Sequence, residues 1–245
     1  MREHVDDGHF WLLPGGAMNK ANVTAGERPY HHGDLHRAIV NAALEVLSET
    51  QSTEFSLREL SRRAGVTHNA PYKHFADKRE LLAAVSGAGF ELLAKRMTDV
   101  TATLSNPRQR LSAIARAYVR HGVENPALYR LMFGGYLTGQ DESRPAVERA
   151  AGEKTKALLE EAIIEGALGS AIPNTLRNER KIAGAILIFW SQMHGLTLLL
   201  VDRLVGPSGK ADELAEKALQ GILDGLGTKI PVLSPGTWVG PQIPQ

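Results

Sequence analysis

The chain has 245 residues, no cysteine and a formal net charge of +1, with 43% hydrophobic and 22% charged residues. The lack of cysteine excludes disulfides and thiolate metal sites and suits a reducing compartment. The near-neutral charge excludes a protein that coats nucleic acid through a uniformly basic surface.

Residues 1–29 carry no periodic apolar pattern. HFWLLPGG is too short and too interrupted for a signal peptide's apolar core, and no basic start precedes it. This stretch is predicted to be a disordered leader, with Met18 as the native start. Asp34 is the predicted N-cap of a first helix reaching about Thr50, with Leu35, Ile39, Ala42, Ala43, Val46 and Leu47 inward. His31, His32 and His36 with Asp34 match no closed metal-ligand spacing, so no metal is expected. Capping and phosphate contact are their expected roles. Five of the nine histidines (31, 32, 36, 68 and 74) lie in this region, which predicts DNA affinity that rises as pH falls.

The next segment, SLRELSRRAGVTHNAPYKHFADK over residues 56–78, reads as two short helices around a tight turn. Ser56 and Glu59 form a capping box. Leu57, Leu60 and Ala64 share a face, while Arg58, Arg62 and Arg63 stay wet. Gly65 stops the helix and Val66 plugs the turn. Thr67 or His68 caps a second helix with Pro71 in its first turn. Its outer side shows His68, Asn69, Tyr72 and Lys73, and Phe75 anchors its end. From Leu57 to Arg79 there are six Lys/Arg against two acids, a local surplus in a chain that is almost neutral. Basic charge concentrated on such a hairpin is the footprint of phosphate binding. An ordinary helical hairpin with a solvated basic face is the plainer reading.

Asp77 with Glu80 opens a long helix to about Leu104, placed to act as a lever. Asn106-Pro107 starts a helix to about Val123, and Asn125-Pro126 a short one through Phe133. Residues 134–144 read as a mobile loop, Pro145 to Leu168 as a helix, and 171–175 as a linker. Ile182 to Val201 is twenty residues without a charge, long enough for a bilayer. Ser191, Gln192 and His194 at its centre argue instead for a helix buried in protein. Gly184, Ser191 and Gly195 form a narrow small-residue stripe, predicted to pack against a second copy. A last helix spans about Lys210 to Leu226, and 227–245 is a Pro/Gly-rich tail. GPSGK lacks the glycine spacing and the strand of a phosphate loop. The expected fold is all-α, with about nine helices and no sheet.

From Tyr30 to Val85 the chain resembles the TetR/AcrR family of bacterial transcription regulators. The resemblance is carried by SLRELSRRAGVT, by Tyr72-Lys73-His74-Phe75 and by DKRELLAAV. Trp190 with His194-Gly195 is similar to the Trp-His-Gly pattern of one subgroup of its C-terminal domains, and ALYRLMF fits that subgroup. The resemblance implies a DNA-binding domain over 30–77 and a ligand-binding and dimerisation domain over 78–226. It implies a cytoplasmic homodimer on a palindromic DNA operator, with no membrane and no cofactor. By position, Tyr72 and Lys78 grip phosphates, with Lys73 and His74 near backbone or bases. His68 and Asn69 are the candidates for base edges, since asparagine can pair with adenine through two hydrogen bonds. Ser56 and Thr67, at the helix starts, complete the expected DNA-contact set. Pro71 departs from the bulkier aliphatic residue usual at that position. Plainer roles stay open: Tyr72 and Phe75 in the core, His74 at a helix end, Asn69 satisfying the turn.

A small apolar or amphipathic ligand is the expected signal. Candidate pocket residues are Phe90, Met97, Tyr118, His121, Tyr129, Met132, Phe133, Phe189, Trp190, Met193 and His194, each of which also suits a plain core. Three classes remain: a ligand-gated repressor, a regulator of the same fold controlled by a protein partner or by no ligand, and an enzyme. The sequence has no nucleophile elbow, metal-binding pair or dinucleotide loop, and His194 has no partner apparent in it, so an enzyme is not expected.

Overall fold

The helices begin where their sequence signals stand. Ser56 Oγ accepts from the Glu59 N–H at 3.1 Å and opens a helix at Leu57. Asp77 Oδ1 accepts from the Glu80 N–H at 2.8 Å, and Glu80 reaches back to the Ala76 N–H, so the lever helix is pinned from both sides. Asn106 Oδ1 accepts from the N–H groups of Arg108 and Gln109, with Pro107 in the first turn.

The computed structural model describes residues 32–134, 146–168 and 179–226. Eight α-helices and no strand lie among them: α1 His32–Thr50, α2 Leu57–Arg63, α3 Lys78–Thr101, α4 Pro107–Glu124, α5 Pro126–Phe133, α6 Ala146–Ile163, α7 Glu179–Val201 and α8 Ala211–Leu226. A π-turn, Ile164–Leu168, widens the end of α6. The predicted leader and Met18 start, most of the 134–144 loop, the 171–175 linker and the tail fall outside the described residues. α1 starts at His32, so Asp34 lies inside its first turn and not at its cap, where the sequence had suggested it.

The ninth predicted helix is replaced by a single 3-10 turn, Pro71–Lys73. Pro71 is the cause. In an α-helix capped at Thr67, the first internal bond would run from the residue-71 N–H to the Thr67 carbonyl, and proline has no N–H. The Thr67 carbonyl is taken instead by the Ala70 N–H at 2.9 Å, which is 3-10 spacing.

α3 is the axis of the described fold. It packs on α1, α4, α5 and α6, and its buried side chains lie all round it rather than on one stripe. α6 is tied to it where the Thr155 hydroxyl donates to the Phe90 carbonyl at 3.0 Å. Buried residues from Leu35 to Leu223 form one connected cluster. Each fully buried leucine or phenylalanine in it contributes about 1.5–3 kcal/mol. α7 buries Ala185, Ile186, Phe189, Met193, Thr197 and Leu200 against neighbouring helices. It is long and apolar enough to cross a membrane by length and composition, yet one side is a protein core.

Candidate nucleic-acid interface and a buried aromatic cluster

The turn after α2 is held from behind. Leu60 and Ser61 are buried, and the Ser61 hydroxyl donates to the Leu57 carbonyl. The chain reverses at Gly65, whose φ of +67° is where a side chain would strain. Arg63 grips Glu49 of α1 through both terminal nitrogens, at 2.9 and 2.7 Å. That arginine is half-buried, not wet as its place on the helix suggested. The Ala70, Pro71 and Phe75 side chains are buried and seat the 3-10 turn.

What those anchors leave outside is one exposed row: Thr67, His68, Asn69, Tyr72 and Lys73. Tyr72 is 61% exposed, so the core role that was open for it is ruled out, while Phe75, at 1%, is core. Arg58, Arg62 and Arg79 are exposed nearby and Ser56 sits at the edge. Lys78 is half-buried: its ammonium stands 5.4 Å over the Phe55 ring and 3.9 Å from Glu54. This seat was not visible in the sequence, because Glu54 and Phe55 read only as connector. The His74 ring faces His36 of α1 at 6.3 Å, and His36 lies 4.7 Å from the Phe75 ring. Burial, then His74, hold the His36 pKa below the ordinary histidine value, with Glu80 opposing.

A second cluster joins α4, α5 and α7. Tyr129 Oη is 2.7 Å from His194 Nδ1, and Tyr118 Oη is 3.0 Å from Tyr129 Oη. The His194 ring stacks on Trp190 one turn earlier, at 5.2 Å and 21°. Phe133 closes against His194 and Tyr129 and meets Phe90 of α3 edge-on at 5.3 Å. Burial pushes both tyrosine hydroxyls up and the His194 imidazole down, so all three are neutral at pH 7. Six of the predicted pocket residues thus form one network, and His194, partnerless in the sequence, has two tyrosines.

The other five do not join it. Met97, Phe189 and Met193 are fully buried and Met132 nearly so, all as core. His121 is 1% exposed, its Nε2 has no hydrogen-bond partner, and burial with the nearby Arg96 depresses its pKa to about 3. On α7, Ser191 is exposed and open space stands where a Gly195 Cβ would be. Gly184 is buried within the chain itself, so the predicted three-residue stripe is not one open surface. The open side of α7 runs instead through Ile188, Ser191, Gln192, Gly195 and Leu199.

Comparison with known families matches residues 39–85 to the bacterial regulatory proteins of the tetR family. Residues 111–222 match the tetracyclin repressor-like C-terminal domain, and together the two matches cover more than half of the chain. The chain belongs to the TetR family. It is a DNA-binding transcription regulator with a helix-turn-helix, and the family is one of regulators rather than enzymes.

Among relatives of this TetR-family chain, the nucleoid occlusion factor SlmA of Marinobacter nauticus is 26% identical over 129 residues, 53% of this chain. The HTH-type transcriptional repressor Rv3405c of Mycobacterium tuberculosis is 28% identical over 116 residues, 47% of this chain. The match spans 66% of the first and 56% of the second. A solved structure from Rhodococcus sp. RHA1, described as of unknown function, superposes with a TM-score of 0.65 at 28% identity. That superposition covers 81% of this chain and 98% of the other.

Proposed function

We propose that this TetR-family chain is a homodimeric repressor that binds a palindromic operator and is released from it by a small apolar or amphipathic ligand. The observation that carries the reading is the exposed row Thr67–Lys73, set on buried anchors and joined directly to α3. Residues 30–77 act as the DNA-reading domain and 78–226 as the sensing and dimerising one. Two rows in a dimer would enter successive major grooves about 35 Å apart. Tyr72, Lys78 and Lys73, with Arg58, Arg62 and Arg79, contact phosphates, while His68 and Asn69 meet base edges. His74, Ser56 and Thr67 lie at the backbone. The open side of α7, with Ile188, Leu199 and the space beside Gly195, supports pairing with a second copy. Phe90, Tyr118, Tyr129, Phe133, Trp190 and His194 are the sensing residues. The C-terminal part belongs to the Trp-His-Gly subgroup, and the protein works in the cytoplasm, off the membrane.

Gel shifts against the DNA flanking the gene test this division. Asn69→Ala is expected to relax sequence preference by about 1–3 kcal/mol at one position. Lys78→Ala is expected to weaken all sequences alike and flatten the salt dependence. Equal effects of the two changes on preference and salt slope would refute it. A second reading, control by a protein partner or by no ligand, is favoured by the similarity to a relative named as a nucleoid occlusion factor.

A further inference from the structure

Lys78 is held between two groups of opposite kind. The Phe55 ring beneath its ammonium is buried in the core, with the ammonium 5.4 Å from the ring centroid. The Glu54 carboxylate stands 3.9 Å away, on a side chain that is 83% exposed. Both attract the ammonium, the ring through its negative face and the carboxylate through its full charge. They differ in what they do once a phosphate arrives. The ring is uncharged and stays beneath the ammonium. The carboxylate becomes a second anion beside the first.

The other acids around this turn are engaged elsewhere. Asp77 accepts from the Glu80 N–H and Glu80 from the Ala76 N–H, so both carboxylates serve the start of α3. Glu59 lies 3.7 Å from Arg63. The Glu54 carboxylate has no partner among the described residues besides Lys78. The main chain, not the side chain, keeps it there. The Glu54 N–H donates to Ser52 Oγ at 3.0 Å, and the Phe55 N–H to the Thr53 carbonyl at 3.0 Å. An exposed ion pair of this length adds little to stability. Its consequence falls on the charge that Lys78 offers to DNA.

We infer that Glu54 is an internal competitor for phosphate, which occupies the Lys78 ammonium in the free protein and lowers the affinity for every DNA sequence alike. The inference rests on the placement of Lys78 at a phosphate proposed above. Phosphates carry no sequence information directly. Glu54 therefore sets how tightly the chain holds DNA in general, not which sequence it prefers. It works in the same direction as the net charge of only +1, against unspecific binding.

A double-mutant cycle on the full chain tests it. The wild type, Glu54→Gln, Lys78→Ala and the double variant are titrated onto a fluorescein-labelled duplex of scrambled sequence, followed by anisotropy at several salt concentrations. All four are compared at a temperature where thermal unfolding shows each to be folded. Glu54→Gln should bind about two- to fivefold tighter at low salt, the size of an exposed charge pair. The gain should shrink as salt rises, and it should be clearly smaller in the Lys78→Ala background. Unchanged or weaker binding by Glu54→Gln overturns the inference, and so does a gain that salt does not touch. An equal gain with and without Lys78 also overturns it, by making Glu54 a general repeller of DNA rather than a competitor at one ammonium. If Lys78→Ala itself binds as tightly as the wild type, the phosphate role of Lys78 falls first and this inference with it.

Discussion

His121 makes acid a specific threat to this fold. The ring is 1% exposed, its Nε2 has no partner, and its pKa is depressed to about 3 by burial first and the Arg96 charge second. In the unfolded chain the same ring titrates near about 6.5. Between those values the unfolded chain holds a proton that the folded one refuses. Stability therefore falls as pH drops through about 6.5 and goes on falling toward about 3, at about 1.4 kcal/mol per pH unit. Integrated from about pH 8 to about pH 5, this one ring costs about 2 kcal/mol, a large share of the roughly 5–15 kcal/mol of an ordinary domain. The assay is urea unfolding followed by far-UV circular dichroism at both pH values, at one protein concentration, for the wild type and His121→Leu. The wild type should lose about 2 kcal/mol more than the variant on acidification. His36 and His194 have lowered pKa values too, but they are common to both proteins and cancel in the difference. Equal losses in the two proteins would refute the reasoning.

Two further outcomes follow from close packing and from the 3-10 turn. Gly122→Ala should lower stability by about 1–2 kcal/mol, read as a lower Tm. Its Cβ would overlap Thr197 Cγ2 and stand 2.9 Å from the Tyr129 ring, and overpacking of about 1–3 kcal/mol outweighs the helix propensity gained. An unchanged or higher Tm would show that α4 can move off α5 and α7 freely. Pro71→Ala restores the N–H that the Thr67 carbonyl lacks at α-helical spacing. The new amide should be protected from hydrogen exchange, and an amide exchanging at the free-chain rate would mean that something other than proline sets the 3-10 turn.

Legibility in the sequence tracked how local each signal was. Ser56, Asp77, Asn106 and Pro126 act within three or four residues of themselves, and the starts of α2 to α5 were readable from them. Pro71 is equally local: it stands in the first turn, as its spacing predicts, but at the fourth position after Thr67 it also removes the bond that would begin an α-helix capped there. The pocket list mixed two populations that composition cannot separate. Phe189, Met193 and His194 are near neighbours on α7, yet the first two are sealed and the third is half-open. Which side of a uniformly apolar helix meets α4 is set by packing of residues far apart in sequence, as the Tyr118–His194 contact across 76 positions illustrates. The Gly184 error has the same origin: helical spacing gave a correct stripe, but burial along it is uneven because neighbouring helices do not cover α7 evenly.

The two candidate sites are joined by a short physical path. α3 begins at the Asp77 cap, immediately after the buried Phe75 that seats the exposed row. Phe90 lies twelve residues along it, about 18 Å at helical rise. Phe90 meets Phe133 edge-on, and Phe133 touches both Tyr129 and His194. Phe133 is thus the one ring that stands between His194 and Phe90 of α3, the helix that follows the exposed turn. Adjacency alone does not couple the ends. In the ligand-gated reading proposed above, a ligand would shift the spacing of the heads only as far as it bound one arrangement of Phe133 better than the other. The half-open flank at Trp190 and His194 is where such a preference can arise, since the sealed core at Phe189 and Met193 has no room to distinguish two states.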